Sequence, residues 1–479
     1  MAAIKNITDE GTFNGGYFII NPECKKLDYV KGDNVLVTLP NDLSLKHEIM
    51  KLIKQAKTSI KICSFILEDH EIIAEIQSVL EAGNVAVFFI TQLDESKFSA
   101  SFLTEEEIKE NRYQNHLDSI ERFYSYGAHI RASKSAHAKF IIADRNDAII
   151  MSANLTNRSL NQNPETGIYL TDNDSIRDLD NLFDMIYQEG TSYTKFLKAS
   201  KNKQFIISRE ISVNNENLNR LLSNSLRFTF EMDQQSLYKE IINIIHKADK
   251  DIWLSTYSIV ALDYLPEFID VIEKFIKKDG KIRIFCRGMN YRSDHLSNCL
   301  SLINKGCEIY GDFYNHSKMI VSNSQAMLFT ANIDGNHGLK SGFEVGYITD
   351  PETSLGLMNH IIWQIATAPF KFINNPSKKD YFNTYSFICK NKNIKVFKPA
   401  DGWVIKLNGD SKSLLDRIDC EPIYFYMDRD AIIMISVGSE YYRATRIASG
   451  LELNEKVPKG SNKFESYLLR YKTLKISID

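Results

Sequence analysis

Three things this chain lacks narrow the possibilities before any motif is found. Its seven cysteines, at 24, 63, 286, 299, 307, 389 and 420, are odd in number and contain no CxxC pair, so neither a disulfide frame nor a zinc site is expected. Only His295 and Cys299 stand close, too few for a metal site, and the cysteines read as reduced packing residues. No window approaches the ~18 uncharged apolar residues of a membrane helix. The start, MAAIKNITDEGTF, has neither the basic end nor the apolar core of a signal peptide, so a soluble cytoplasmic protein is expected. Excess positive charge is missing too: 58 Lys and Arg face 61 Asp and Glu, which argues against coating nucleic acid by bulk charge and leaves a local basic groove open. With 10 Pro and 22 Gly in 479 residues, the chain is neither disordered nor collagenous, and its length accommodates two to four domains.

What the chain does contain is a repeat. Two amphipathic helices, with Leu45, Ile49, Leu52, Ile53 and Ala56 in one and Leu237, Ile241, Ile244, Ile245 and Ala248 in the other, carry apolar residues at spacings of three and four. Ser44 and Ser236 stand where N-caps would. Each helix leads to a strand-like run, SIKICSFI or DIWLSTYSI, then to a second helical stretch and a second strand, NVAVFFI or GKIRIFC. This alternation predicts two layered α/β domains, over residues 1–205 and 206–375. The first copy has a charged insertion, Leu93 to His116, which reads as a solvated surface helix or a lid. From 376 to 479, short β-rich runs such as GWVIKL and AIIMISVG, separated by turn signals, predict a third, smaller domain.

The chemistry-bearing residues recur in both copies. His137, Lys139 and Asp144 are followed by Ser152, Asn154 and Glu165; His316, Lys318 and Asn323 are followed by Thr330, Asn332 and Glu344. His and Glu are 28 residues apart in each copy, while the His-to-Asn interval is 17 in the first and 16 in the second, as a hairpin shortened by one residue would give. On a strand, residues i and i+2 project to one side, so HxK aims an imidazole and an ammonium into one cleft. Two such strands can surround one phosphate, the ammonium and amide groups holding its oxygens. One imidazole can then attack phosphorus, the other can move protons, and each Glu can hold the far ring nitrogen of a His. A single His in an apolar strand is more often a core residue; two HxK pairs, each with an Asn and an equidistant Glu, favour catalysis over a degenerate structural repeat. Asp144 stays open between a site role and a turn.

This pattern resembles the phospholipase D superfamily, whose signature is a duplicated HxKxxxxD followed by GSxN and a later Glu. The resemblance covers roughly residues 40–370 and is densest in HAKFIIADRNDAIIMSANLTNRSLNQNPETGIYL. It implies an α/β fold in which two sandwich domains, each a mixed sheet flanked by helices, meet at a pseudo-twofold axis. It also implies phosphodiester chemistry without a cofactor, His137 as the nucleophile that becomes a phosphohistidine, and His316 as general acid and base. Met151 stands where the family has Gly, Phe329 and Thr330 replace the second Gly and Ser, and Asn323 replaces Asp, as in the tyrosyl-DNA phosphodiesterase branch.

The substrate is a separate question, because members of the superfamily cut phospholipids, nucleic acids and protein-DNA adducts. From Pro376 onward 18 Lys and Arg face 13 Asp and Glu, so the third domain is basic while the rest of the chain is acidic. Its cations are interleaved with aromatics, as in Tyr441, Tyr442, Arg443 and Arg446 and in Tyr467, Arg470, Tyr471 and Lys472, which suits a nucleic acid, although residue by residue such aromatics are more often the core of a small β domain. Arg287, Tyr291 and Arg292 follow a strand end, where substrate-binding loops of α/β domains lie, or else form a solvated loop. The favoured expectation is a metal-independent nuclease resembling those of bacterial restriction or phage defence, with a nucleic-acid substrate. A homodimer, or association with other defence subunits, is compatible with it. The alternatives are a soluble phospholipase D and a non-catalytic phosphate-binding scaffold.

Overall fold

The structure, a computed structural model, describes residues 4–8, 16–93, 112–133, 135–199, 203–208, 211–288, 293–376, 380 and 384. In the C-terminal region it describes the strands at 404–407, 425–427, 432–437, 440–447, 450–456 and 475–478. The chain divides into two compact units, one made of Glu23–Gly288 and Asn304–Ala368 and the other of Met1–Pro22, Met289–Ile303 and Pro369–Asp479.

The first unit holds both copies of the repeat. The first copy runs β1 (Val35–Thr38), α1 (Ser44–Gln55), β2 (Ser59–Cys63), α2 (His70–Ala82), β3 (Ala86–Thr91), α3 (Arg112–Ser125), β4 (His129–Ala132), β5 (Phe140–Ala143), β6 (Asp147–Met151), β7 (Glu165–Leu170) and α4 (Asn173–Met185). The apolar stripe of α1 is buried at Leu45, Ile49, Leu52 and Ile53. Asp69 caps α2 by accepting the N–H groups of Glu71 and Ile72, and Gly83, at φ 71°, ends that helix in the left-handed region. The sheet order is β4-β3-β2-β5-β6-β7-β1, and beyond β4 it continues through the strands at 193–199 and 203–208. β2, β3 and β4 are mutually parallel and the other pairs antiparallel, a mixed sheet.

The second copy repeats the plan: β8 (Leu226–Phe230), α5 (Ser236–Lys247), β9 (Asp251–Ser255), α6 (Pro266–Ile276), β10 (Lys281–Arg287), β11 (Glu308–Asp312), β12 (Met319–Ser322), β13 (Ala326–Phe329), β14 (Phe343–Ile348) and α7 (Pro351–Ala366). Its strand order, β8-β14-β13-β12-β9-β10-β11, matches the first copy strand for strand. Strand alternation separates two faces. Ile141, Ile149 and Met151 pack on one face of the first sheet with the buried residues of α1 and α2. Phe140, Ile142 and Ile150 enter a core shared with α4, with Met319, Val321, Leu328 and Phe343 of the second sheet, and with Leu357 and Ile361 of α7. A continuous apolar core therefore lies between the two sheets.

Ser44 and Ser236 differ from their expected role as N-caps: the cap positions are Leu43 and Gln235, without side-chain cap bonds. The Ser44 hydroxyl accepts the Val37 N–H at 3.1 Å and that of Ser236 accepts the Phe228 N–H at 3.0 Å, so each serine ties its helix to the strand that precedes it. A hydroxyl at a helix start can serve either neighbour, and spacing alone does not choose. The insertion expected between Leu93 and His116 lies outside the described residues except at its ends. Among the described residues no helix is long and apolar enough to cross a membrane.

In the other unit, Gly16–Ile20 pairs antiparallel with Phe370–Asn374, and Ile4–Thr8 with Lys475–Ile478. Its C-terminal part contains a five-stranded sheet in the order 404–407, 450–456, 440–447, 432–437, 425–427.

Candidate active site

The HxK residues lie not on strands, as expected, but in the chain immediately before β5 and β12, where the two copies touch. The N–H groups of His137 and Ala138 donate to the Phe343 carbonyl at 3.1 and 2.7 Å, and the His316 N–H donates to that of Pro164 at 3.0 Å. Each HxK is thus stitched to the residue before the other copy's Glu. This placement decides the side-chain pairing, which is crossed: His137 Nδ1 hydrogen-bonds Glu344 Oε1 at 2.6 Å, and His316 Nδ1 hydrogen-bonds Glu165 Oε2 at 3.0 Å.

Each carboxylate is held from behind within its own copy. The Ser152 hydroxyl donates to Glu165 Oε2 at 2.5 Å and accepts the Thr166 N–H. Thr330 does the same, donating to Glu344 Oε2 and accepting the Val345 N–H at 3.0 Å. Because an ionised carboxylate can only accept, Nδ1 of each histidine carries the proton and Nε2 keeps its lone pair. The His137 side chain is 31% exposed and that of His316 16%, against 2% and 0% for their glutamates, so both rings keep access to a substrate.

Lys139 and Lys318 are fully buried. Their ammonium groups donate to the carbonyls of His137 and His316, the second at 2.7 Å. Burial lowers Lys139 to about 8, with Glu344 and Glu165 opposing the shift, and lowers Lys318 to about 7, with Lys139 adding to the fall. Burial likewise lowers His316 to about 4, against the pull of Glu165, and His137 falls below its usual value for the same reason. Burial works to raise both carboxyls, yet the facing His and the nearby Lys charge hold Glu165 and Glu344 below the ordinary range. Two buried lysines, two buried carboxylates and two imidazoles held neutral by burial thus share one centre.

Of the remaining expected residues, Asn154 and Asn332 each present a buried Oδ1 without a hydrogen-bond partner. A buried unpaired amide marks a place for a ligand or water. Asp144 sits at the far end of β5, at φ 53°, where its carboxylate accepts the N–H groups of Lys57, Thr58 and Ser59 at 2.8, 2.7 and 3.0 Å. It closes the turn between α1 and β2 and is not brought to the His137 centre. Asn323, its counterpart, is exposed after β12. The β5–β6 hairpin pairs Ala143 with Asp147 across three residues, whereas Ser322 N–H reaches Gln325 O across two, the one-residue difference expected from the spacing.

Arg287 is buried; its Nη1 donates to the Tyr257 hydroxyl at 2.7 Å and its Nε to the Phe313 carbonyl at 3.0 Å. Tyr291 and Arg292 lie outside the described residues. Two aromatic residues at the centre were not anticipated. The Phe65 ring meets His137 at 5.7 Å and the Tyr257 ring meets His316 at 5.3 Å, both edge to face. Their signal is positional: each is the second residue after a matching strand, β2 or β9, at the carboxyl end where α/β domains place functional groups.

Residues 49–187 match the family described as cardiolipin synthase, PLD-like domain. No curated protein matches the sequence. Among solved structures, the chain is similar to polyphosphate kinase from Porphyromonas gingivalis, at 14% identity and a TM-score of 0.42, covering 73% of this chain and 50% of that one. It therefore spans half the length of that enzyme. Phosphatidylserine synthase from Haemophilus influenzae Rd KW20 shares 12% identity at a TM-score of 0.48, over 80% of this chain and 97% of that one. Nuc from Salmonella typhimurium, a phospholipase D family member, shares 16% identity at a TM-score of 0.26, over 31% and 91%. The family match lies across the first HxK, so residues 49–187 form a phospholipase D-like domain, and the same residue pattern recurs in the second copy.

Proposed function

We propose that this chain is a metal-independent phosphodiesterase that cleaves DNA or RNA through a phosphohistidine at His137, in the setting of bacterial restriction or phage defence. The observation that carries the reading is the crossed pairing of His137 with Glu344 and of His316 with Glu165 around two buried lysines. The crossing leaves both Nε2 lone pairs available at one centre, and Lys139 and Lys318 supply the positive charge that a phosphodiester monoanion needs there. Residues 1–205 and 206–375 act as the two catalytic halves.

In the first step His137 Nε2 forms a bond to phosphorus as the P–O bond breaks, and the leaving oxygen takes a proton from His316 Nε2. That proton is gained as the anionic substrate enters and offsets the burial that keeps the free imidazole neutral. In the second step, neutral His316 takes a proton from water, whose oxygen attacks phosphorus. The P–N bond breaks and His137 is restored. Lys139, Lys318, Asn154 and Asn332 hold the phosphoryl oxygens as charge moves onto them.

The nucleic-acid assignment draws on the basic excess after Pro376, where Tyr441, Tyr442, Arg443 and Arg446 share the strand Glu440–Ile447. Tyr467, Arg470, Tyr471 and Lys472 lie outside the described residues. Purified protein in EDTA is offered single- and double-stranded DNA, RNA and phospholipid vesicles, with His137→Ala as control. Cleavage of DNA or RNA in EDTA, lost in His137→Ala, is expected. Turnover of lipid alone overturns the substrate, strict dependence on a divalent ion overturns the mechanism, and no turnover leaves a phosphate-binding scaffold.

A further inference from the structure

The repeat makes the two histidines equivalent in sequence position, but different residues stand at the strand ends beside them. Register matches Cys63 with Ile90 in the first sheet and Ser255 with Phe285 in the second. Two residues beyond each of these lie Phe65 and Gln92 in the first copy, Tyr257 and Arg287 in the second. Phe65 gives the His137 side of the cleft an apolar ring edge. Tyr257 gives the His316 side a ring of similar shape with a hydroxyl, and that hydroxyl oxygen accepts from Arg287 Nη1 at 2.7 Å. The guanidinium also stands 5.3 Å from the centre of the Tyr257 ring and is anchored through Nε to the Phe313 carbonyl at 3.0 Å. An oxygen that accepts from a guanidinium is polarised, and its own proton is turned away from that cation toward another acceptor.

We infer that Tyr257 is a further catalytic residue, whose hydroxyl donates a hydrogen bond to the leaving oxygen at the His316 side, and that Arg287 is the residue that positions it. The inference rests on the proposed phosphodiesterase reading and extends it by explaining why the two half-sites are chemically unequal. When the P–O bond breaks, negative charge collects on the bridging oxygen. The proton that ends there comes from His316, while Tyr257 keeps its own and offers only a hydrogen bond. Phe65 offers no such donor beside His137, where an unprotonated nitrogen must attack phosphorus.

Leaving-group dependence tests this apart from any structural effect. A dinucleotide, whose alkoxide needs its charge met, is compared with bis(p-nitrophenyl) phosphate, whose nitrophenolate departs without help. Tyr257→Phe, which keeps the ring, is expected to lower kcat/KM for the dinucleotide about 10- to 30-fold, one charge-related hydrogen bond, and to leave the nitrophenyl ester within about twofold. Arg287→Gln, the residue at the matching position of the first copy, shows the same selective loss in weaker form, and Arg287→Lys recovers part of it. Equal losses on both substrates, or no loss on the dinucleotide, overturn the inference while the phosphodiesterase reading stands. A wild-type chain that cleaves neither substrate overturns both.

Discussion

Replacing Glu344 by Gln separates the roles of the two histidines, because Glu344 lies in the second copy and serves the histidine of the first. Its Oε1 faces His137 Nδ1 at 2.6 Å and its other oxygen accepts from Thr330, so the isosteric amide keeps the shape and removes the charge. As His137 attacks phosphorus its ring becomes cationic. With charge centres about 4 Å apart and an effective dielectric of about 20, the lost attraction is about 4 kcal/mol, which is about a thousandfold in rate. The assay is acid-quenched, rapid-mixing capture of the phosphoenzyme with bis(p-nitrophenyl) phosphate, with the adduct mapped by peptide mass. Glu344→Gln is expected to suppress adduct formation at His137. Glu165→Gln, which removes the carboxylate facing His316 and leaves the His137–Glu344 pair intact, lets the nitrophenyl ester load His137 and then slows water attack, so the adduct accumulates. The opposite pattern, accumulation in Glu344→Gln and none in Glu165→Gln, refutes the assignment of nucleophile and acid. Identical behaviour of the two variants refutes the crossed pairing as a functional feature.

Lys318, lowered by burial to about 7, and Lys139, lowered to about 8, lose their protons across neutral pH; the affinity for inorganic phosphate, read by calorimetry, falls between pH 6.5 and 8.5, and Lys318→Arg flattens the fall. His316, lowered to about 4, takes up a proton on unfolding between about 4 and its ordinary 6.5, so stability increases with pH across that window. Tm measured from pH 7 to 4.5 drops accordingly, and less steeply in His316→Gln. Asp144→Ala removes acceptors from three backbone N–H groups and lowers stability by about 1–2 kcal/mol, read by denaturant unfolding, with kcat unchanged.

The repeat, its helix faces and its paired HxK sites were legible because each depends on short-range periodicity: Ile49 and Ile241 declare their helices, and a constant interval from His to Glu declares the site. The partner of each glutamate was not legible, since Glu165 is nearer in sequence to His137 and reaches His316 only because two sheets pack about a common core. Ser44 and Ser236 misled for a related reason, as each hydroxyl had a strand N–H within reach that local spacing does not reveal. Phe65 and Tyr257 escaped notice because aromatics at strand ends are ordinary core residues until a histidine is folded against them. Asp144 was ambiguous between turn and site, and its positive φ, set by a hairpin one residue longer than that of Asn323, places it in the turn.

The crossed pairs also carry a consequence for timing during synthesis. While a ribosome has delivered only the first copy, His137 exists but Glu344 does not, and its imidazole has nothing to fix the tautomer. Under the proposed function, His137 gains its fixed tautomer only once the second sheet has been made and docked. Dividing each dyad between the two copies makes completed folding the condition for assembling it.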